Sequence, residues 1–144
     1  MNRTGAAAPR RVLTDWTTTA GVDGTGLLAL VTGGATAEGI HLATLGYEVF
    51  VLHPDQAAAD AAEDAAHVHP VAAAPAALPD EWSERFDLVV ALDGDLPSDV
   101  VAPQGIALVV AAEPTEVDGF TRVVAEQTPD GGVRTVLARL EASA

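Results

Sequence analysis

The residues best placed to do chemistry form a glycine turn, Thr32-Gly33-Gly34-Ala35-Thr36, directly after the apolar run Leu27-Leu28-Ala29-Leu30-Val31. A glycine turn from a buried strand into a helix lets a ligand approach the backbone closely, and the helix N-terminus favours negative charge there. The turn can therefore cradle a nucleotide, or simply bend the chain between strand and helix. His53 ends a second apolar run, Tyr47 to Leu52, and Asp93 and Asp95 end a third, Phe86 to Leu92. Ligands of open α/β sheets bind outside the carboxyl ends of the strands. Thr32, Gly33, Gly34, Thr36, His53 and Asp93 are accordingly the candidate binding set. His53 either contacts a ligand or is a half-exposed loop histidine; the two aspartates either recognise a cationic group or form a capped acidic turn.

The remaining polar groups suggest less. His67 and His69 are two apart and would share a strand face, but two nitrogens do not make a metal site, and they read as a surface strand. His41 reads as a boundary residue of the first helix, and Trp16 and Trp82 as core or interface anchors. No catalytic residue and no metal ligand can be assigned. All seven cations are arginines, so lysine-dependent chemistry (Schiff bases, P-loops, Tyr-Lys dyads) is excluded. Without cysteine there is no disulfide, thiol nucleophile or cysteine zinc site. Seven cations against 21 acids give a net charge of -14, which repels polyanions and makes nucleic acid and anionic membranes poor partners. The apolar runs are too short to span a bilayer. Met1 to Arg11 lacks the apolar core of a signal peptide, so the expected location is cytoplasmic.

The elements that must position these residues follow from the apolar pattern. A length of 144 residues fits one domain, expected over 21–144, with 1–20 a leader or short N-terminal segment. Continuous apolar runs at 27–31, 47–52, 86–92 and 106–111, with a candidate strand at 67–71, read as strands buried on both faces. Helix-length segments separate several of them: one after the glycine turn that stops at Gly46, and one opened by Pro54-Asp55 with Ala58, Ala61, Ala62 and Ala65 inward. This alternation indicates an α/β fold with a parallel sheet and helices on both faces. Residues 120–127 and 133–140, joined by Thr128-Pro129-Asp130-Gly131-Gly132, read as an antiparallel hairpin.

The turn resembles that of short-chain dehydrogenases, but their Tyr-x-x-x-Lys pair cannot exist in a chain without lysine. A second resemblance covers Leu27 to Leu140. The spacing of Thr32-Gly33-Gly34-Ala35-Thr36 to Gly46-Tyr47-Glu48-Val49, the stretch Phe86 to Asp93 and the closing hairpin resemble the class I S-adenosylmethionine-dependent methyltransferases. The resemblance implies a three-layer Rossmann-like methyltransferase fold, its mostly parallel sheet ending in an antiparallel hairpin. Carried over by position, the family's first-strand acid falls on Leu30, its three glycines on Thr32, Gly34 and Thr36, and its ribose-binding acid on His53. An imidazole can accept one hydrogen bond but not two together. The expectation is a methyltransferase-like protein with a degenerate S-adenosylmethionine site, a non-catalytic accessory or binding subunit that holds the cofactor weakly or not at all. The alternatives are a small active methyltransferase acting on a small molecule, and a nucleotide-binding protein. Trimmed crossovers and a trimmed N-terminal cap imply an exposed apolar patch and association, as a homo-oligomer or with a larger protein.

Overall fold

The computed structural model describes residues 11–32, 36–53, 55–61, 66–73, 78–91, 96–117, 119–128 and 132–139. In chain order the elements are α1 (Arg11–Ala20), β1 (Leu28–Val31), α2 (Thr36–Thr44), β2 (Glu48–His53), α3 (Gln56–Ala61), β3 (Val68–Ala72), β4 (Phe86–Ala91), β5 (Val101–Ala111), β6 (Phe120–Gln127) and β7 (Val133–Arg139). The seven strands form one sheet in the order β3-β2-β1-β4-β5-β7-β6. β7 alone runs against its neighbours, pairing antiparallel with both β5 and β6. The mostly parallel sheet and closing hairpin expected from the sequence are therefore present.

Alternation along each strand divides the core into two layers. Ala29 and Val31 of β1, Val49 and Val51 of β2 and Val90 of β4 face one side, where Leu42 of α2 and Leu13 of α1 pack on them. Leu30, Leu52, Val89 and Val109 face the other. The crossovers β1–α2–β2 and β2–α3–β3 move outward in the same direction, and right-handedness puts α2 and α3 on the same face. Among the described residues the second face carries no α-helix. Two 3₁₀ turns, Asp80–Trp82 and Ser98–Val100, cover it with the partly buried Leu78, Trp82, Leu96, Val117 and Phe120. Pro79 and Pro97 precede these two turns and disfavour a continuous helix there, so the described part of the third layer is built of turns and loops.

Several local features depart from the sequence expectation. α1 lies before the expected boundary at residue 21, yet its Leu13 has no exposed surface and sits in the core. That helix belongs to the same body. In α3 the buried residue is Ala59, whereas Ala61 is exposed; Ala62 and Ala65 lie outside the described residues. β5 begins five residues before the expected Ile106, because its pairing with β4 jumps from Phe86↔Val101 to Leu88↔Ile106. Pro103 and Gly105 sit within that irregular stretch. The expected apolar patch is not found among the described residues. Among the described residues the large exposed hydrophobics are Leu27, just before β1, and Val123, on the edge strand β6. Val123 is the extra residue between Arg122↔Leu137 and Val124↔Val136, a bulge that blunts edge strand β6 against pairing.

Two glycines fix how α2 meets the sheet. Gly46 adopts φ +107 and ends the helix as the sequence suggested, its N–H bonded to the Ala43 carbonyl at 3.1 Å. Gly39 faces β2 so closely that a Cβ there would lie 2.7 Å from Val51 Cγ2. Gly39→Ala should therefore destabilise the protein by about 1–3 kcal/mol despite alanine's better helix propensity. Urea denaturation measures the loss, and in a Val51→Ala background the same change should cost clearly less. Equal cost in both backgrounds would place the strain elsewhere.

Candidate functional site

The chain reverses its direction of travel across the sheet at β1. From β1 it moves out through β2 to β3, then returns to β4 on the other side of β1. The crevice outside the carboxyl ends of β1 and β4 is the topological switch point, where open α/β sheets bind ligands. Thr32 lies there, fully buried, its N–H extending the β1–β4 pairing to the Val90 carbonyl at 3.0 Å. Thr36 is the first residue of α2. Val31 pairs with Val51, so Thr32 and His53 stand within about one residue of the same level on adjacent strands. The structure thus brings Thr32, Thr36 and His53 to one end of the sheet. Gly33, Gly34 and Asp93, with Asp95, lie outside the described residues.

His53 is the last residue of β2, and it is buried at 6% exposure rather than half-exposed in a loop. Alternation places it on the face of Val49 and Val51, towards α2, with Gly39 over Val51. Its carbonyl accepts from Ala73 N at 3.2 Å. Its ring Nε2 is buried and has no hydrogen-bond partner. Burial pushes its pKa below the ordinary 6.5, so the ring is neutral at pH 7. Leu30, where the resemblance expects an acid, is completely buried in the second-face cluster.

A charged residue that sequence reasoning missed sits beside this set. Glu38, in the first turn of α2, is 4% exposed. An acid there complements the positive end of the helix, and it raises the affinity of His41 for protons against the larger, opposite effect of burial. The available signal was its place one turn into a helix following the glycine turn. His41 lies at the boundary between helices, as expected: its Nε2 meets Thr17 Oγ1 at 2.8 Å, and that hydroxyl donates to the Thr14 carbonyl at 3.0 Å.

The other singled-out residues belong to the amino end of the sheet. Asp87 accepts a hydrogen bond from the Leu28 N–H at 3.0 Å, which pins β4 to β1. His67 and His69 both contact the Glu48 carboxylate, His67 through Nδ1 at 2.9 Å and His69 through Nε2. Among the described residues no group of three or more side chains is arranged to hold a metal ion. Trp82 packs edge-on against Phe50 and Phe86, an anchor of the second face. No helix among the described residues is long and apolar enough to cross a membrane.

No protein-family model and no curated protein matches the sequence. Solved structures do match the fold. The TehB-like SAM-dependent methyltransferase from Corynebacterium glutamicum has a TM-score of 0.65 and 15% identity, over 90% of this chain and 88% of that one. The N-methyltransferase NodS from Bradyrhizobium japonicum has 0.65 and 17%, over 90% and 93%. The magnesium protoporphyrin IX methyltransferase from Synechocystis PCC 6803, solved with bound SAH, has 0.63 and 16%, over 89% and 80%. The chain has the Rossmann-like fold of class I SAM-dependent methyltransferases.

Buried His53 and half-buried His41 set a pH dependence. Burial lowers the pKa of both His41 and His53 from 6.5, so below that pH the unfolded chain binds more protons than the folded one, and stability rises with pH. The contribution is complete above pH 6.5 and is lost as pH falls through the folded values. Chemical denaturation between pH 5 and 7.5 should show stability falling on the acid side, with a shallower slope in His53→Phe. A flat profile, or an unchanged slope in the variant, would remove His53 from this account.

Proposed function

We propose that this chain is a methyltransferase-fold protein with a degenerate cofactor site, acting as a non-catalytic accessory or binding subunit. The observation that carries the reading is His53: a buried, neutral imidazole with an unpartnered Nε2, at the position where the family's ribose-binding acid falls. Neutral imidazole offers one acceptor or one donor at that nitrogen and cannot take both ribose hydroxyls together. Leu30 supplies no polar atom at all. The residues present therefore do not fit tight S-adenosylmethionine binding. Charge-assisted hydrogen bonds contribute about 1.5–3 kcal/mol each, and each 1.4 kcal/mol is tenfold in affinity. Losing them moves a micromolar site towards the millimolar range. As an accessory subunit the chain works through a partner, and its charge of -14 makes a basic protein surface the natural complement.

A second reading, a small active methyltransferase, is favoured by the same unpartnered nitrogen, because a ligand hydroxyl would satisfy it. The nucleotide reading loses support from Glu38: a buried acid already occupies the first turn of α2, where a phosphate would otherwise be favoured.

Calorimetric titration with S-adenosylmethionine, its demethylated product and NAD(P)H tests these readings. The accessory reading expects no saturable heat below millimolar concentration, and a gain of about tenfold or more in His53→Asp, which restores the acid. A dissociation constant of a few micromolar, lost on His53→Ala, would replace it with the active-methyltransferase reading. Tight NAD(P)H binding would favour the nucleotide reading.

A further inference from the structure

We propose that the amino edge of the sheet, between β1, β2 and the end of α2, holds a second ligand site, for a small organic cation with an apolar body. A cavity of about 440 Å³ opens there, lined by Leu27, Leu28, Ala43, Tyr47, Glu48 and His67 with the backbone of Gly26 and Gly46. That volume lies within the 300–1,000 Å³ typical of small-ligand pockets. The site is separate from the carboxyl-end set. Glu48 and His53 stand at opposite ends of β2, a span of six residues, or about 17 Å at 3.3 Å per residue.

Independent features of the chain meet at this cavity. Leu27, one of the two large exposed hydrophobics among the described residues, is 37% exposed on its wall. Leu28 and the Tyr47 ring continue the apolar surface. His67 has φ +65, a left-handed conformation uncommon outside glycine and maintained only where the surroundings impose it. The backbone so placed brings its ring Nδ1 within 2.9 Å of Glu48 Oε1.

The charge of the site selects the ligand. Glu48 is ionised: contacts from His69 and His67 hold its carboxyl below the ordinary 4.5. The carboxyl end of α2, which stops at Thr44, contributes the negative end of a helix dipole at Ala43 and Gly46. The described lining contains no lysine or arginine. In the tautomer whose Nδ1 donates to Glu48, the Nε2 of His67 is an acceptor. A protonated amine is the polar group that a carboxylate, a helix carboxyl terminus and an imidazole acceptor recognise together; the leucines and the tyrosine ring take the apolar part.

The experiment uses three probes of one shape, 2-phenylethylamine, 2-phenylethanol and 3-phenylpropionate, in two-dimensional amide NMR titrations of the whole chain at pH 7.5. The amine should shift the amides of Gly26, Leu27, Gly46 and Glu48 in a saturable way, the alcohol should bind at least about fivefold more weakly, and the carboxylate should not saturate. Glu48→Gln should abolish the preference of amine over alcohol while leaving the remaining spectrum in place. His67→Gly, which suits the left-handed backbone and so keeps the fold, should weaken the amine. Three outcomes would each overturn the proposal: no saturable shifts at these residues, equal shifts from all three probes, or amine shifts spread over the acidic surface and indifferent to Glu48→Gln. None of them bears on cofactor binding at His53.

Discussion

Everything in this fold depends on β1 being apolar on both faces. It lies between β2 and β4, and Ala29, Leu30 and Val31 have no exposed surface. Ala29 and Val31 carry the helices α1 and α2, and Leu30 carries the opposite layer. A strand so enclosed must leave polar atoms to its ends, because a buried polar group without a partner costs free energy. Among the described residues, Thr32 after β1 and His53 at the end of β2 are such end groups. Leu30 belongs to the core rather than to a site: where the related fold has an acid, this chain has one more apolar contact on a face that is covered by turns instead of helices.

The strands were legible in the sequence because continuous apolar runs permit few alternatives. Val49, Val51, Leu52 and Leu88 to Ala91 are buried, with Phe50 half-buried between Val49 and Val51, and the length of the runs suits strands rather than helices. The hairpin was legible for a different reason, a glycine-rich turn between two β-branched runs. The start of β5 was hidden because a proline and a glycine interrupt the pattern inside an irregular stretch of pairing. Helices on the second face were expected from the rule that parallel sheets are covered on both sides. Among the described residues the cover is made of turns, and periodicity has no signature for them. Among the described residues Trp82, Leu96, Val117 and Phe120 pack against the second face, where the short crossovers suggested an exposed patch.

The carboxyl-end site was legible in position and not in character. Strand ends and the switch point follow from topology, so Thr32 and His53 fall where spacing put them. Whether an imidazole at the end of β2 is wet or dry depends on the neighbouring α2, and so on Gly39, whose close approach to Val51 is a tertiary fact. Glu38 was illegible because acids in a first helical turn normally face solvent; here the same close docking carries the carboxylate inward. Glu38 places a buried carboxyl group in the first turn of α2, and His53 places a neutral imidazole at the end of β2.

The two ends of β2 resolve the same problem differently. At the carboxyl end His53 is desolvated by α2 and stays neutral; at the amino end Glu48 remains 38% exposed in its side chain and keeps its charge. The difference follows from the direction of the crossover. α2 starts at the carboxyl ends with Thr36 and descends, and it ends at Thr44 before reaching Glu48. The chain must then reverse through Gly46 into β2, which leaves a gap beside Leu27 that no side chain of the turn fills. A charged residue at the first position of β2 can thus stay hydrated while an apolar wall stands next to it. Exposed carboxylate and uncovered leucine in one gap are a consequence of where α2 stops. They supply the charge and the apolar wall of the site proposed there.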